Sequence, residues 1–111
     1  MANLLGQVTI PASGKVSLAE GLQQPGVATG AGVGGPQIGN LYVQFLTIQN
    51  NSAGAIRYGD VTVSPTRGMA LSAGTPGGAG TQSTPINYAT YLSDWYVAGA
   101  AGLVIDFLFI Q

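Results

Sequence analysis

Side chains along residues 41–50 repeat with a period of two, which is the period of a β-strand and not of a helix. One face of this run holds Tyr42, Gln44, Leu46 and Ile48, and the other holds Val43, Phe45, Thr47 and Gln49. Residues 103–111 repeat in the same way, and both of their faces are apolar apart from Asp106. We therefore expect two strands, the second of them central in a sheet or covered on both sides.

Shorter apolar runs lie between Gly, Pro, Asn and Asp residues along most of the chain. Residues 7–10 and 15–19, joined by the turn-forming sequence at 11–14, predict a β-hairpin. Further strands are expected at 56–58, 61–63, 69–71, 86–91 and 96–98, with one helical turn at 92–95. The sequence therefore predicts an all-β fold, an antiparallel β-sandwich or jelly roll of about seven to eight short strands.

Two glycine- and proline-rich segments, 21–39 and 73–85, separate these strands and are expected to be long loops. Because they carry almost no charge, we expect them to become ordered against a neighbouring molecule. A chain of 111 residues has the length of one domain. We expect residues 1–111 to form a single β-sandwich domain.

The chain has three basic and four acidic residues, and its formal net charge is -1. So few cations cannot neutralise a run of phosphates, so nucleic acid is not an expected partner. The longest apolar stretch, 97–110, has about the length of a buried strand or helix and contains Asp106, so we expect no membrane span. No basic segment followed by an apolar segment stands at the N-terminus, so we expect no cleaved secretory signal.

Histidine and cysteine are both absent from the sequence. Without imidazole there is no ordinary general base near neutral pH, no Ser-His-Asp triad and no histidine-bound metal. Without thiols there are no disulfides, thiolate nucleophiles or cysteine-bound metals. We expect no enzyme, no catalytic residues, no metal and no cofactor.

Three patterns that resemble functional motifs are better explained by structure. The glycines at 30–35 match a dinucleotide-binding spacing, but Pro36 follows where a helix would have to begin. Asp60, Asp94 and Asp106 could be read as the paired carboxylates of a glycoside hydrolase. Asp60 and Asp94 lie in expected turns, however, and Asp106 is expected to pair with an arginine or with backbone amides. The glycosylation pattern at 50–52 is expected to be a turn between strands.

Aromatic residues cluster near the end of the chain, at Tyr88, Tyr91, Trp95 and Tyr96. They suit core packing, a protein interface or a platform for a sugar, and only their position in the fold distinguishes these roles. Arg57 and Arg67 are each able to form a two-pronged bond with a carboxylate, within the domain or across a subunit boundary. The candidate interface residues are Tyr88, Tyr91, Trp95, Arg57 and Arg67.

Three segments, in order, carry a resemblance to a known class of protein: 56–63 (IRYGDVTV), 67–74 (RGMALSAG) and 91–99 (YLSDWYVAG). They contain a strand ending in Gly-Asp, a Gly-x-x-Leu-x-x-Gly corner, and a Leu-Ser-x-x-Tyr-Val turn and strand. This pattern, over residues 41–111, resembles small virion structural proteins of tailed bacteriophages.

The resemblance implies a β-sandwich without catalytic residues that binds the outside of a capsid as a decoration or cement subunit. The implied partners are the major capsid protein and further copies of the chain, as a trimer at a capsid threefold position. The implied location is the capsid surface of the virion, after synthesis in the host cytoplasm. The alternative is a tail or fibre accessory domain that binds host surface glycan through Tyr88, Tyr91 or Trp95.

Overall fold

The computed structural model describes residues 3–21, 42–74 and 81–110. Along these residues run β1 (Asn3–Thr9), β2 (Lys15–Ser17), helix α1 (Leu18–Gly21), β3 (Tyr42–Val43), β4 (Phe45–Asn50), β5 (Ile56–Gly59), β6 (Met69–Leu71), β7 (Thr81–Gln82), β8 (Thr90–Tyr91), a 3-10 helix (Leu92–Asp94), β9 (Tyr96–Ala98) and β10 (Val104–Ile110). The predicted all-β fold is confirmed, and the predicted helical turn at 92–95 is present as the 3-10 helix.

The strands form two four-stranded antiparallel sheets and one two-stranded pair. The first sheet has the order β1-β10-β4-β7, and we call it the long-strand sheet because three of its strands have six or seven residues. The second has the order β2-β9-β5-β6 with strands of three or four residues, and we call it the short-strand sheet. The pair consists of β3 and β8.

Both sheets contribute alternate residues to one hydrophobic core, as in a β-sandwich. The long-strand sheet supplies Val8, Leu46, Ile48, Ile105, Phe107 and Phe109, and the short-strand sheet supplies Val16, Ile56, Tyr58, Leu71 and Val97. Strand β10 lies between β1 and β4, so its predicted central position is confirmed. Its second face is half-buried.

The predicted continuous strand at 41–50 is interrupted at Gln44, which separates β3 from β4. Leu46 and Ile48 share one face, as predicted, and this face is the core side, but Tyr42 and Gln44 are exposed and Val43 is buried. The buried Val43 and Leu46 are three residues apart rather than two, so one extra residue reverses the alternation, as a β-bulge does. The backbone N–H of Gln44 donates to the carbonyl of Ile110 at 2.7 Å.

The predicted hairpin at 7–19 is wrong, because β1 and β2 belong to different sheets. Strand β1 pairs along its whole length with β10, and β2 pairs with β9. The turn itself is present, with Gly14 at φ +83° donating to the carbonyl of Pro11 at 2.9 Å. It carries the chain from one sheet to the other, so that Val8 and Val16 enter the shared core from opposite sides.

Some shorter predictions also differ from the structure. Residues 61–63 form a turn rather than a strand, and 86–91 contribute only β8 and a single bridge between Ile86 and Leu46. The segment expected as a loop at 73–85 contains β7, which pairs with β4. Residues 22–41, with the glycine pattern at 30–35, and residues 75–80 lie outside the described part of the chain.

Candidate functional site

Three tyrosines are exposed on and beside the β3–β8 pair, and we call Tyr42, Tyr88 and Tyr91 the tyrosine patch. Their exposed fractions are 47%, 60% and 41%, respectively. Tyr42 and Tyr91 stand opposite each other on the two strands, with ring centroids 4.7 Å apart and planes tilted by 59°. Side chains of this kind are enriched at contact hot spots of protein interfaces.

Trp95 is placed differently from the two candidate tyrosines. It is partly buried and packs against the hydrophobic core, with its ring centroid 6.5 Å from that of Tyr58. Its indole Nε1 donates to Oγ1 of Thr90 at 3.1 Å, which ties β8 to the core. Trp95 therefore supports the strand that carries Tyr91.

The two candidate arginines organise the loop between β5 and β6. Arg57 donates from Nε to the carbonyl of Pro65 at 3.1 Å and from Nη1 to the carbonyl of Gly68 at 2.8 Å. Arg67 donates from Nε to Oγ1 of Thr62 at 3.1 Å. Within the described residues neither guanidinium forms a two-pronged bond with a carboxylate of the same domain. Both bind loop carbonyl or hydroxyl oxygens, because the tight 60–68 turn brings these acceptors to them. A bond across a subunit boundary stays a prediction.

Asp60 begins this loop and accepts two hydrogen bonds on Oδ1, from Oγ1 of Thr62 at 2.5 Å and from its backbone N–H at 2.8 Å. These bonds, the side-chain one first, hold the pKa of the fully exposed Asp60 carboxyl below its ordinary value. The positive charges of Arg67 and Lys15 act in the same direction with smaller effect. The aspartate is thus explained as a turn residue, as the sequence predicted.

Asp106 lies in the middle of β10, and each of its carboxylate oxygens accepts one hydrogen bond. Gln7 donates from Nε2 to Oδ1 at 3.0 Å, and Asn51 donates from Nδ2 to Oδ2 at 2.6 Å. The prediction of an arginine or backbone partner is wrong, because the register places Gln7 directly opposite. Over the described ranges, no group of three or more Asp, Glu, His or Cys residues is placed to hold a metal ion.

Asn50, the first residue of the glycosylation pattern, is fully buried. Its Nδ2 donates to the carbonyls of Gly54, Leu71 and Ser72 at 2.9, 3.3 and 3.0 Å. Its Oδ1 accepts from the backbone N–H and the hydroxyl of Ser52. Asn50 therefore joins the end of β4 to the end of β6 in the other sheet, and its amide nitrogen is inaccessible to a sugar-transferring enzyme.

A groove of about 300 Å³ lies on the outer face of the long-strand sheet. Its lining includes Leu5, Phe45, Gln49, Gln82, Asp106 and Leu108. This groove is not predictable from the sequence pattern, because its residues come from strands far apart in the chain. The signal was the alternation itself, which places Thr47 and Gln49, and Asp106 and Leu108, on the same outward faces.

A second groove, of about 440 Å³, lies on the outer face of the short-strand sheet. Small side chains line most of it, including Ala55, Ala70 and Ala98. Arg57 is its charged group, and two of the five N–H groups of its guanidinium donate to loop carbonyls. These two bonds fix the orientation of the guanidinium beside the groove.

In the described ranges, no helix has the length and apolar character needed to cross a lipid bilayer. Comparison of the chain with protein-family models, with curated proteins and with solved structures finds no match.

Proposed function

We propose that this protein is a non-enzymatic structural protein of a bacteriophage virion. In this proposal it is a capsid decoration or cement subunit that binds the major capsid protein and further copies of itself, as a trimer on the capsid surface. The resemblance of residues 56–63, 67–74 and 91–99 to small virion proteins motivates the proposal. The observation that carries it is the tyrosine patch.

The patch suits protein binding for two reasons. Tyrosine buries a large apolar ring while its hydroxyl finds a hydrogen-bond partner, so it contributes much contact energy for little lost side-chain freedom. Only 6% of the residues are charged, so few charged groups on the surface have to lose their hydration when a partner protein binds. A weakly charged surface favours association.

The mechanism of cementing is mass action. A subunit that binds the closed shell and not its separated parts stabilises the shell by its binding free energy. No proton transfer or bond cleavage is required, so the absence of histidine and cysteine is no obstacle.

The test compares native particles with particles stripped of this subunit. We expect stripped particles to lose DNA at lower temperature and to regain resistance when the protein is added back. The Tyr88→Ala and Tyr91→Ala double variant should bind stripped particles at least about tenfold more weakly, the effect of a modest hot spot. Met69→Ala is the control, since Met69 is 64% exposed on β6. Unchanged heat resistance of stripped particles would contradict the cement role.

The second candidate is a tail or fibre accessory domain that binds host glycan on the same tyrosines. The exposed rings of Tyr42 and Tyr91 favour it, because sugar rings stack on aromatic side chains. Glycan-array binding that disappears in Tyr88→Ala and Tyr91→Ala, with no binding to stripped particles, would support this candidate and remove the first. Trp95→Ala is the less specific variant, because Trp95 also packs against the core.

A further inference from the structure

Four polar side chains form a row across the long-strand sheet, one from each strand. The register pairs Gln7 with Asp106, Asp106 with Gln49, and Gln49 with Gln82. Side chains paired in this way on one face have Cβ atoms about 4.5–5.5 Å apart. We call these four residues the amide row, and the last three line the groove on this face.

The hydrogen bonds of the row leave part of its capacity unused. Gln7 and Asn51 each donate to Asp106 and hold its carboxylate in place. The carboxylate also fixes the orientation of the Asn51 amide, because only the nitrogen side can donate to it. This leaves Oδ1 of Asn51 buried without a hydrogen-bond partner. Within the described residues, the side-chain amides of Gln49 and Gln82 have no partner in the protein either.

An apolar row runs beside the amide row on the same face. The register pairs Leu5 with Leu108 and Leu108 with Thr47, and it places Phe45 opposite Ile110 at the next outward position. Leu5 is 58% exposed, and Phe45 and Leu108 are half-buried. The groove thus has one hydrogen-bonding side and one apolar side.

These features define the chemistry of a ligand. Of the described residues that line the groove, none is lysine or arginine, so an anionic ligand has no counter-charge there. A purely apolar ligand would cover Gln49 and Gln82 without replacing their bonds to water, which is unfavourable. The volume lies at the small end of the roughly 300–1,000 Å³ range of small-molecule sites. A ligand of one or two rings, with hydroxyls on one side and C–H groups on the other, meets all three conditions.

We infer that the groove binds a neutral saccharide. Sugar hydroxyls donate and accept hydrogen bonds, as the amides of Gln49 and Gln82 also do. The C–H face of the ring packs against Phe45 and Leu108, while Asp106, already held by two amides, accepts from a further hydroxyl. None of the three tyrosines of the patch lines this groove, and the inference does not depend on the proposed virion role.

The experiment screens the full chain against an array of neutral oligosaccharides and measures the hits by calorimetry. The test variant is the Gln49→Ala and Gln82→Ala double substitution, which removes two amides that make no internal hydrogen bond. We expect its affinity to fall by about tenfold, the effect of losing two modest hydrogen bonds. Tyr88→Ala with Tyr91→Ala is the control and should bind the saccharide as the unchanged protein does. Amide NMR shifts on saccharide addition should move at residues 47–49 and 106–108.

Three results would overturn the inference. The first is the absence of binding to any neutral saccharide at millimolar concentration. The second is binding that the tyrosine substitutions abolish and the glutamine substitutions leave intact, which would place the sugar on the tyrosine patch. The third is a Gln49→Ala and Gln82→Ala variant that binds the same saccharides with unchanged affinity but no longer binds capsids. That result would make this face a protein interface.

Discussion

The long-strand and short-strand sheets face each other across one core but are held together differently. In the long-strand sheet, β1, β10 and β4 pair over six or seven residues, so regular backbone ladders account for most of its order. In the short-strand sheet no strand exceeds four residues. Its order also depends on side chains that donate hydrogen bonds to backbone carbonyls. Arg57 donates to the carbonyls of Pro65 and Gly68, and Lys15 donates to the carbonyl of Val61.

The outer surfaces of the two sheets differ because one sheet is ordered by long backbone ladders and the other by short strands and side-chain bonds. The long ladders hold a regular outer face on which rows of side chains line up across strands, and the groove with polar and apolar sides lies there. The groove on the short-strand sheet is lined mostly by small side chains. The short strands β5 and β6 are joined by a turn-rich loop, within which Arg57, Asp60 and Arg67 make local hydrogen bonds. These polar residues therefore serve loop geometry.

The largest effect is expected in the centre of the long-strand sheet. Phe107→Ala removes a 1% exposed ring that packs over Gly6 on the neighbouring strand, and Gly6 has no side chain that could fill the cavity. We expect a loss of about 3–5 kcal/mol in the free energy of unfolding, measured with urea. Leu108→Ala, half-buried on the outer face, should cost much less. Equal losses would show that the outer face of β10 contributes as much to stability as its core face.

The second-largest effect on stability is expected at Asn50, which links the two sheets. Asn50→Ala removes the donor to the carbonyls of Gly54, Leu71 and Ser72 and the acceptor of the buried Ser52 N–H and hydroxyl. The Gly54 carbonyl keeps its bond from the Ser52 hydroxyl. We expect a loss of about 2–3 kcal/mol in urea unfolding, from unsatisfied buried groups. The control is Asn87→Ala, because Asn87 is exposed. A loss as small as that of the control would mean that the sheets are joined by apolar packing alone.

Glycines of the two sheets offer a matched comparison. A Cβ on Gly6 would lie 2.5 Å from Cε2 and 2.9 Å from Cε1 of Phe107, whereas one on Gly59 would have its nearest neighbour, Val63, at 3.9 Å. Gly6→Ala is therefore expected to destabilise the protein by about 1–3 kcal/mol through overpacking. Gly59→Ala should be nearly neutral in the same thermal unfolding measurement. The reverse order would indicate that the Phe107 ring moves aside easily.

The smallest effect is expected at Asp60 in the loop of the short-strand sheet. Because its folded-state pKa is lowered, the group stabilises the protein above its unfolded pKa of about 3.9, and this contribution is lost as the pH falls through the folded value. NMR titration should show Asp60 with a midpoint below the ordinary value. Thr62→Val, which removes the stronger bond, should move that midpoint upward. Thr84→Val, at an exposed position, serves as control and should leave it unchanged.

The candidate surfaces were predictable to different degrees. The aromatic content near the end of the chain drew attention to Tyr88 and Tyr91, but Tyr42 joins them only because β3 pairs with β8. The roles of Trp95 and Arg57 depend on their contacts with Thr90 and Gly68, which the amino-acid sequence does not reveal. The amide row was hidden because Gln7 and Asp106 are 99 positions apart in the chain.

The local pattern of side chains determined the all-β class, the strands at β4 and β10, and the turns around Gly14 and Asp60. These features depend on neighbours in the chain, through the period of two and through backbone preferences that act over a few residues. Only the tertiary structure decided that β1 pairs with β10 instead of β2, that Gln44 reverses the alternation, and that Asn50 joins the sheets. Those features depend on which apolar faces pack together in the common core. This packing is between segments that are distant in sequence, so local patterns do not determine it.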